Sequence, residues 1–233
     1  MSLGRALRHW LFPDLCLACG ERLSPSEGRI CLCCLATCPR VDPECRGLVG
    51  SWTSRELNRV TALWSYDEER VRRIVHGLKY QGFSRLAREL GPVLARQVQG
   101  WLQETDVLVP VPLHPRRERA RGFNQSELLA RAVGDALGLA VWSGLVRVRY
   151  TRSQTGLGSR ERTENVRGAF QLRDRVPEGR LWLVDDVLTT GATMLACAQV
   201  LRRAGAEWVG AIALAAVQGN MGESVRVFAA PLP

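Results

Sequence analysis

Residues 181–196 read LWLVDDVLTTGATMLA. Four apolar residues lead into two consecutive acids, Asp185 and Asp186, and a short Thr/Gly/Ala stretch then runs into a second apolar segment. LWLVD has the length and composition of a buried strand. A helix is expected from about Thr193 to Ala204, with Gly205 at its end. Buried carboxylates are costly unless something holds them. In an open α/β sheet, ligands bind beyond the carboxyl ends of the strands, which is where these acids are expected. The turn TTGAT (189–193) offers free N–H groups and a helix dipole to an anion. Thr189, Thr190 and Thr193 add hydroxyl donors, Gly191 lets the backbone close on a phosphate, and Ala192 completes the turn. Carboxylates and phosphates repel, so one group cannot satisfy both. A ribose 5-phosphate satisfies each separately: its phosphate fits the turn, and its 2- and 3-hydroxyls donate to the acids.

Working outward, strands alternate with helices. VTALWSY (60–66) reads as a strand, and DEERVRRIVHGLKY as a helix with Val71, Ile74, Val75 and Leu78 on one face, Asp67 to cap it and Gly82 to end it. A second helix spans SRLARELGPVLARQV from Ser84, and Pro92 is expected to kink or split it. DVLVPVP (106–112) reads as a buried strand followed by a basic loop. FNQSELLARAVGDALGL then reads as a helix, with Asn124 and Glu127 as a capping box and Gly138 as the stop. LVRVR (145–149) and Trp208–Val217 are further strands. This alternation predicts an α/β fold with a mostly parallel sheet covered on both faces. There is no internal repeat, no GxGxxG after a strand and no GxxxxGK[ST].

The chain has 233 residues and a net charge of +9, and its basic residues are all arginine except Lys79. Such a surplus suits an anionic ligand, either phosphates or nucleic acid. No stretch is long enough to span a bilayer. The N-terminus is interrupted by Arg and His; it reads as a short amphipathic helix with Leu3, Leu7, Trp10 and Leu11 on one face, not as a secretory leader. A cytoplasmic protein without stable membrane insertion is expected.

Seven of the eight cysteines lie between Cys16 and Cys45. Cys16 and Cys19 form one CxxC pair, Cys31 and Cys34 another, with Gly20 placed for a knuckle turn. Free thiols or a disulfide scaffold are the alternatives. The clustering speaks against the first and the compartment against the second. Two CxxC pairs put four thiolates around a tetrahedral, structural Zn²⁺. Cys33, Cys38 and Cys45 remain as competitors for a ligand position. So small a segment buries few apolar residues, so the metal would supply much of its stability. Residues 1–54 are expected to form this helix and zinc ribbon, and residues 55–233 the α/β domain.

LWLVDDVLTTGAT resembles the phosphoribosyl-pyrophosphate (PRPP) signature of type I phosphoribosyltransferases across all thirteen positions. With the cysteine pairs, VPVPLHPRRERARGFNQSELLA and YTRSQTGLGSRERTENVRGAF, nearly the whole chain resembles the ComF/GntX family, bacterial proteins with a zinc ribbon before a phosphoribosyltransferase domain. The resemblance implies the type I phosphoribosyltransferase fold. It implies that Asp185 and Asp186 are the catalytic, ribose-holding acids and that residues 189–193 hold the 5-phosphate. It places Arg116, Arg117 and Arg121 near the pyrophosphate, and Arg152 and Arg160 on a hood over PRPP, with Mg²⁺ arriving on the ligand. It links the protein to natural competence, with single-stranded DNA and other competence proteins as partners. Two functions follow: transfer of phosphoribose to a nitrogen acceptor, or a PRPP-dependent module that holds single-stranded DNA. Trp52, Trp64, Trp101, Trp142, Trp182 and Trp208 offer stacking surfaces, although Trp182 sits in an apolar run that reads as core. His76 and His114 are candidate acid/base groups, but each reads better as a surface or core histidine, and the sequence shows no Ser-His-Asp or Cys-His set.

Overall fold

A computed structural model describes residues 13–41, 56–80, 84–150 and 164–217. Five strands make a parallel sheet: β1 (Arg59–Ser65), β2 (Val107–Pro110), β3 (Ala140–Val141), β6 (Arg180–Leu188) and β7 (Trp208–Ala216), in the order β1-β7-β6-β2-β3. A separate antiparallel pair joins β4 (Leu145–Arg147) to β5 (Phe170–Leu172). The helices are α1 (Leu32–Thr37), α2 (Glu69–Tyr80), α3 (Ser84–Val98), α4 (Pro115–Arg121), α5 (Gln125–Leu137) and α6 (Ala192–Arg203).

The sheet is buried on both faces because its strands alternate between two cores. Trp182 and Val184 of β6 join one core with α2, α3 and α5, and Leu181 and Leu183 join the other with α6 and the β4–β5 pair. The predicted doubly covered, mostly parallel α/β architecture is therefore what the chain adopts. Cys16, Ala18, Leu23, Ile30, Cys31, Cys34 and Cys38 belong to the same core as α2 and α3. Beside the central strand β6, β7 carries small residues. A Cβ on Gly210 would come within 2.5 Å of the Trp182 ring and 2.7 Å of the Trp208 ring.

Three expectations need correction. Pro92 does not split its helix: α3 runs unbroken from Ser84 to Val98. The proline is exposed, so the carbonyl it leaves without a donor faces water, while Leu86, Leu90, Leu94 and Val98 anchor the opposite face. The segment after β2 is not a loop but the helix α4, with Pro115 at its start, His114 Nδ1 accepting from Arg116 N–H at 3.1 Å, and Gly122 (φ 86°) as its cap. Finally, the strand does not stop at the acids. Pairing with β7 continues through Asp185, Val187 and Leu188, whereas β2 pairs only as far as Val184. Both acids therefore lie where β6 has lost its neighbour on one side.

Candidate functional site

That one-sided ending opens a cleft of about 720 Å³. Its lining includes Asp185, Asp186, Thr189, Gly191, Ala192 and Thr193, together with Arg117 and Arg121 of α4. Lys79, Gln125, Ser126, Arg147 and all three tyrosines of the chain (Tyr66, Tyr80 and Tyr150) line it as well. Arg116 is not in the lining, but its guanidinium lies 5.2 Å from the Tyr150 ring. Arg152 and Arg160 fall outside the described residues, as does Cys45.

The two acids have different environments. Asp186 is buried and paired with Lys79 Nζ at 2.7 Å, and Gln125 Nε2 donates to its other oxygen at 3.4 Å. Arg121 in turn donates to Gln125 Oε1 and lies over the Tyr80 ring at 5.1 Å. Asp185 accepts from Ser126 Oγ at 2.7 Å and from the Asp186 N–H at 2.9 Å. Burial and the neighbouring Asp186 charge push the Asp185 carboxyl up to about 8. Burial acts the same way on Asp186, but the Lys79 ammonium outweighs it and holds Asp186 below the usual carboxylate range. For Lys79, burial pulls downward and the Asp186 carboxylate prevails, so its pKa stands above the ordinary lysine value. Near neutral pH the pair holds about one negative charge beside one cation.

The turn leaves the start of α6 without a side-chain cap. Gly191 caps α6 with φ 74°, and no side chain caps the helix there, which leaves its first amides for a ligand. Thr190 Oγ1 is buried with no hydrogen-bond partner among the described residues. Arg147 is buried with its guanidinium 5.3 Å from the Phe170 ring, and burial and then Arg117 lower its pKa. His114 is spent as the α4 cap, and His76 lies exposed beside Tyr80.

The cysteine segment forms a second centre. The sulfurs of Cys16, Cys19, Cys31 and Cys34 all lie within 4.8 Å of one another, with Cys19 and Cys31 3.9 Å apart. Tetrahedral zinc at about 2.3 Å from each sulfur sets them about 3.8 Å apart, so the cage fits a metal such as zinc. It does not fit disulfides, whose sulfurs sit about 2.05 Å apart. Amides of Cys31 and Cys34 donate to Cys16 Sγ and Cys31 Sγ, both at 3.3 Å. Burial raises the Cys16 thiol, but the amides of Cys31, Cys19 and Ala18 outweigh it and bring it to about 7. Gly20 adopts φ 81° just after the first pair. Of the competing cysteines, Cys33 is exposed and Cys38 is buried outside the cage.

The sequence reading missed Lys79, Gln125, Ser126 and Arg147. Lys79 was visible only as a lone lysine on a helix, and Gln125 and Ser126 only as the first turn of α5.

No family model matches the chain. The DNA utilization protein YhgH of Salmonella typhimurium is 36% identical over 217 residues, covering 84% of this chain and 94% of that protein. The chain belongs to the YhgH/ComF family. Another member, competence protein ComFC of Bacillus subtilis, is 26% identical over 206 residues, 84% of this chain and 81% of its own length. Competence protein F of Haemophilus influenzae is 36% identical over 110 residues, about half of each chain. Among solved structures, a glutamine PRPP amidotransferase from B. subtilis has a TM-score of 0.37 and 26% identity over 54% of this chain, a match spanning a quarter of that enzyme. A hypoxanthine phosphoribosyltransferase from Staphylococcus aureus has a TM-score of 0.33 and 13% identity, covering 63% of this chain and 70% of that one. Like the rest of this YhgH/ComF chain, the cleft residues lie on no helix long and apolar enough to cross a membrane, among the residues described.

Proposed function

We propose that the chain binds PRPP with Mg²⁺ in this cleft and transfers its phosphoribosyl group to a nitrogen acceptor, in the service of DNA uptake or use. The observation that carries this reading is the pairing of two acids with an uncapped helix start on one cleft. The turn 189–193 takes the 5-phosphate. Asp185 and Asp186 accept bonds from the ribose hydroxyls. Arg117 and Arg121 face the departing pyrophosphate, where forked guanidiniums neutralise developing charge. In the step, the bond from ribose C1 to the pyrophosphate oxygen breaks and its electron pair leaves with pyrophosphate. The acceptor nitrogen then bonds to C1 and releases its proton. Mg²⁺ comes with the pyrophosphate rather than from a dedicated protein cage.

A second reading is supported by the cleft wall. Tyr80 and Tyr150 are 64% and 51% exposed, and each has an arginine beside its ring. Such aromatics with adjacent cations suit stacked bases of a single strand. In this reading PRPP is held and DNA is the partner.

Calorimetry of PRPP–Mg²⁺ against wild type and Asp186→Asn tests the shared site; equal affinities would remove it. Pyrophosphate release that requires an added acceptor supports transfer. Salt-sensitive single-strand binding without release across an acceptor panel supports the second reading.

A further inference from the structure

Lys79 reaches Asp186 from the last turn of α2, and the turns that lead up to it are gripped by the cysteine segment. Three α2 residues on one face make the contact. Arg70 donates to Thr37 Oγ1 at 3.1 Å, and Arg73 donates to the Ala18 carbonyl at 3.4 Å. At Gly77 the Leu17 side chain fills the space a Cβ would need, 2.3 Å from the position of that atom. Leu17 and Ala18 are the two residues between the ligands Cys16 and Cys19, and Thr37 is the last residue of α1, which carries Cys34. Ala18, Cys34, Val71, Ile74 and Leu78 share one core. The knuckle that forms one side of the thiolate cage is thus the surface on which α2 rests, two residues before Lys79.

We propose that the four-cysteine segment is a clamp that positions Lys79: by fixing the face of α2 formed by Arg70, Arg73 and Gly77, it holds the Lys79 ammonium on Asp186 and thereby sets the cleft for its phosphosugar ligand. Lys79 is a ligand-site residue in this account, and Leu17 and Ala18 are positioning residues that act through it. A cage emptied of metal lets the knuckle relax, since such small segments depend on their ion for order. The helix end then loses its support and Asp186 its cation. The ligand part of the proposal rests on the PRPP reading above; the clamp itself does not.

Because Lys79 is the sole lysine, protein grown with isotope-labelled lysine gives a single side-chain NMR signal that reports its ion pair directly. In zinc-loaded wild type this signal should be that of a bound ammonium, and Asp186→Asn should move it to the free position. Cys16→Ser/Cys19→Ser, with metal loss verified by zinc analysis, should move it the same way. It should also weaken PRPP–Mg²⁺ binding by about tenfold or more, the scale of one charge-assisted hydrogen bond. Cys33→Ser, at an exposed cysteine outside the cage, should change neither. To separate the contact from the fold of the metal-free segment, Arg73→Ala and Gly77→Leu test the same contact with the metal ligands intact. Zinc should be retained while the lysine signal shifts. A lysine signal unchanged in both of these variants, or unchanged on verified zinc loss, overturns the clamp. If wild type binds no PRPP but the signal responds as described, the clamp stands and the PRPP reading falls.

Discussion

Each end of β6 buries an aspartate against a cation, and the two pairs do opposite things. At the amino end, Asp106 Oδ2 accepts from Trp182 Nε1 at 2.8 Å and the Gln103 N–H at 3.0 Å, with Arg180 at 3.3 Å. Arg180 also donates to the Trp101 carbonyl and lies 4.4 Å from the Trp208 ring. That pair is roofed by tryptophans. At the carboxyl end, Asp186 and Lys79 look into an open cleft, beside a second acid and an uncapped helix. The lesson is that a buried ion pair marks a functional site only where space and unspent donors adjoin it.

Removing each acid should separate the two roles. Asp106→Ala leaves Arg180 and the Trp182 N–H without their acceptor. It should cost about 3 kcal/mol of stability, roughly 10 °C in Tm for a chain of this size, while PRPP affinity stays unchanged. A thermal melt alongside calorimetry reads both. Asp186→Asn should do the reverse, lowering PRPP affinity about a hundredfold with a stability loss of only about 1 kcal/mol, because Lys79 sits at the cleft edge and can turn to water. Adding Lys79→Met to it should restore stability but not affinity, which a double-mutant cycle would measure.

Much of this was legible in the sequence, for particular reasons. LWLVDDVLTTGAT showed itself because every element of the turn is local, and the two CxxC pairs because ligand spacing is local too. The helix α4 did not show, since none of its seven residues is buried and it has no apolar period to detect. Lys79 could not be assigned to Asp186 because only the β1-β7-β6 strand order brings α2 over the end of β6. Likewise β2 stopping opposite Val184, which opens the cleft, is a property of pairing and not of either strand alone.

The pH dependence offers a finer contrast. An unfolded aspartate titrates near 3.9, whereas burial and the Asp186 charge push Asp185 in the fold up to about 8. Between those values the folded chain keeps a proton that the unfolded chain has lost. This group's contribution to stability is therefore full below about pH 4 and is lost as pH rises through about 8. Denaturant melts at several pH values should show this decline in wild type and not in Asp185→Asn. PRPP affinity should rise over the same approach to pH 8, as Asp185 becomes a better acceptor. The smallest effect is expected at Thr190, whose hydroxyl is buried without a partner. Thr190→Val should leave stability level or raise it by up to about 1 kcal/mol, and weaken PRPP binding by a few fold.

Gly210, wedged between Trp182 and Trp208, also limits how such a chain can drift over generations. Any side chain there must displace a ring that donates to Asp106 or one that lies under Arg180. A side chain at 210 is expected to be better tolerated once one of the two indoles has been trimmed. The constraint lies at the end of β6 away from the cleft, so a glycine held there would record packing and not chemistry.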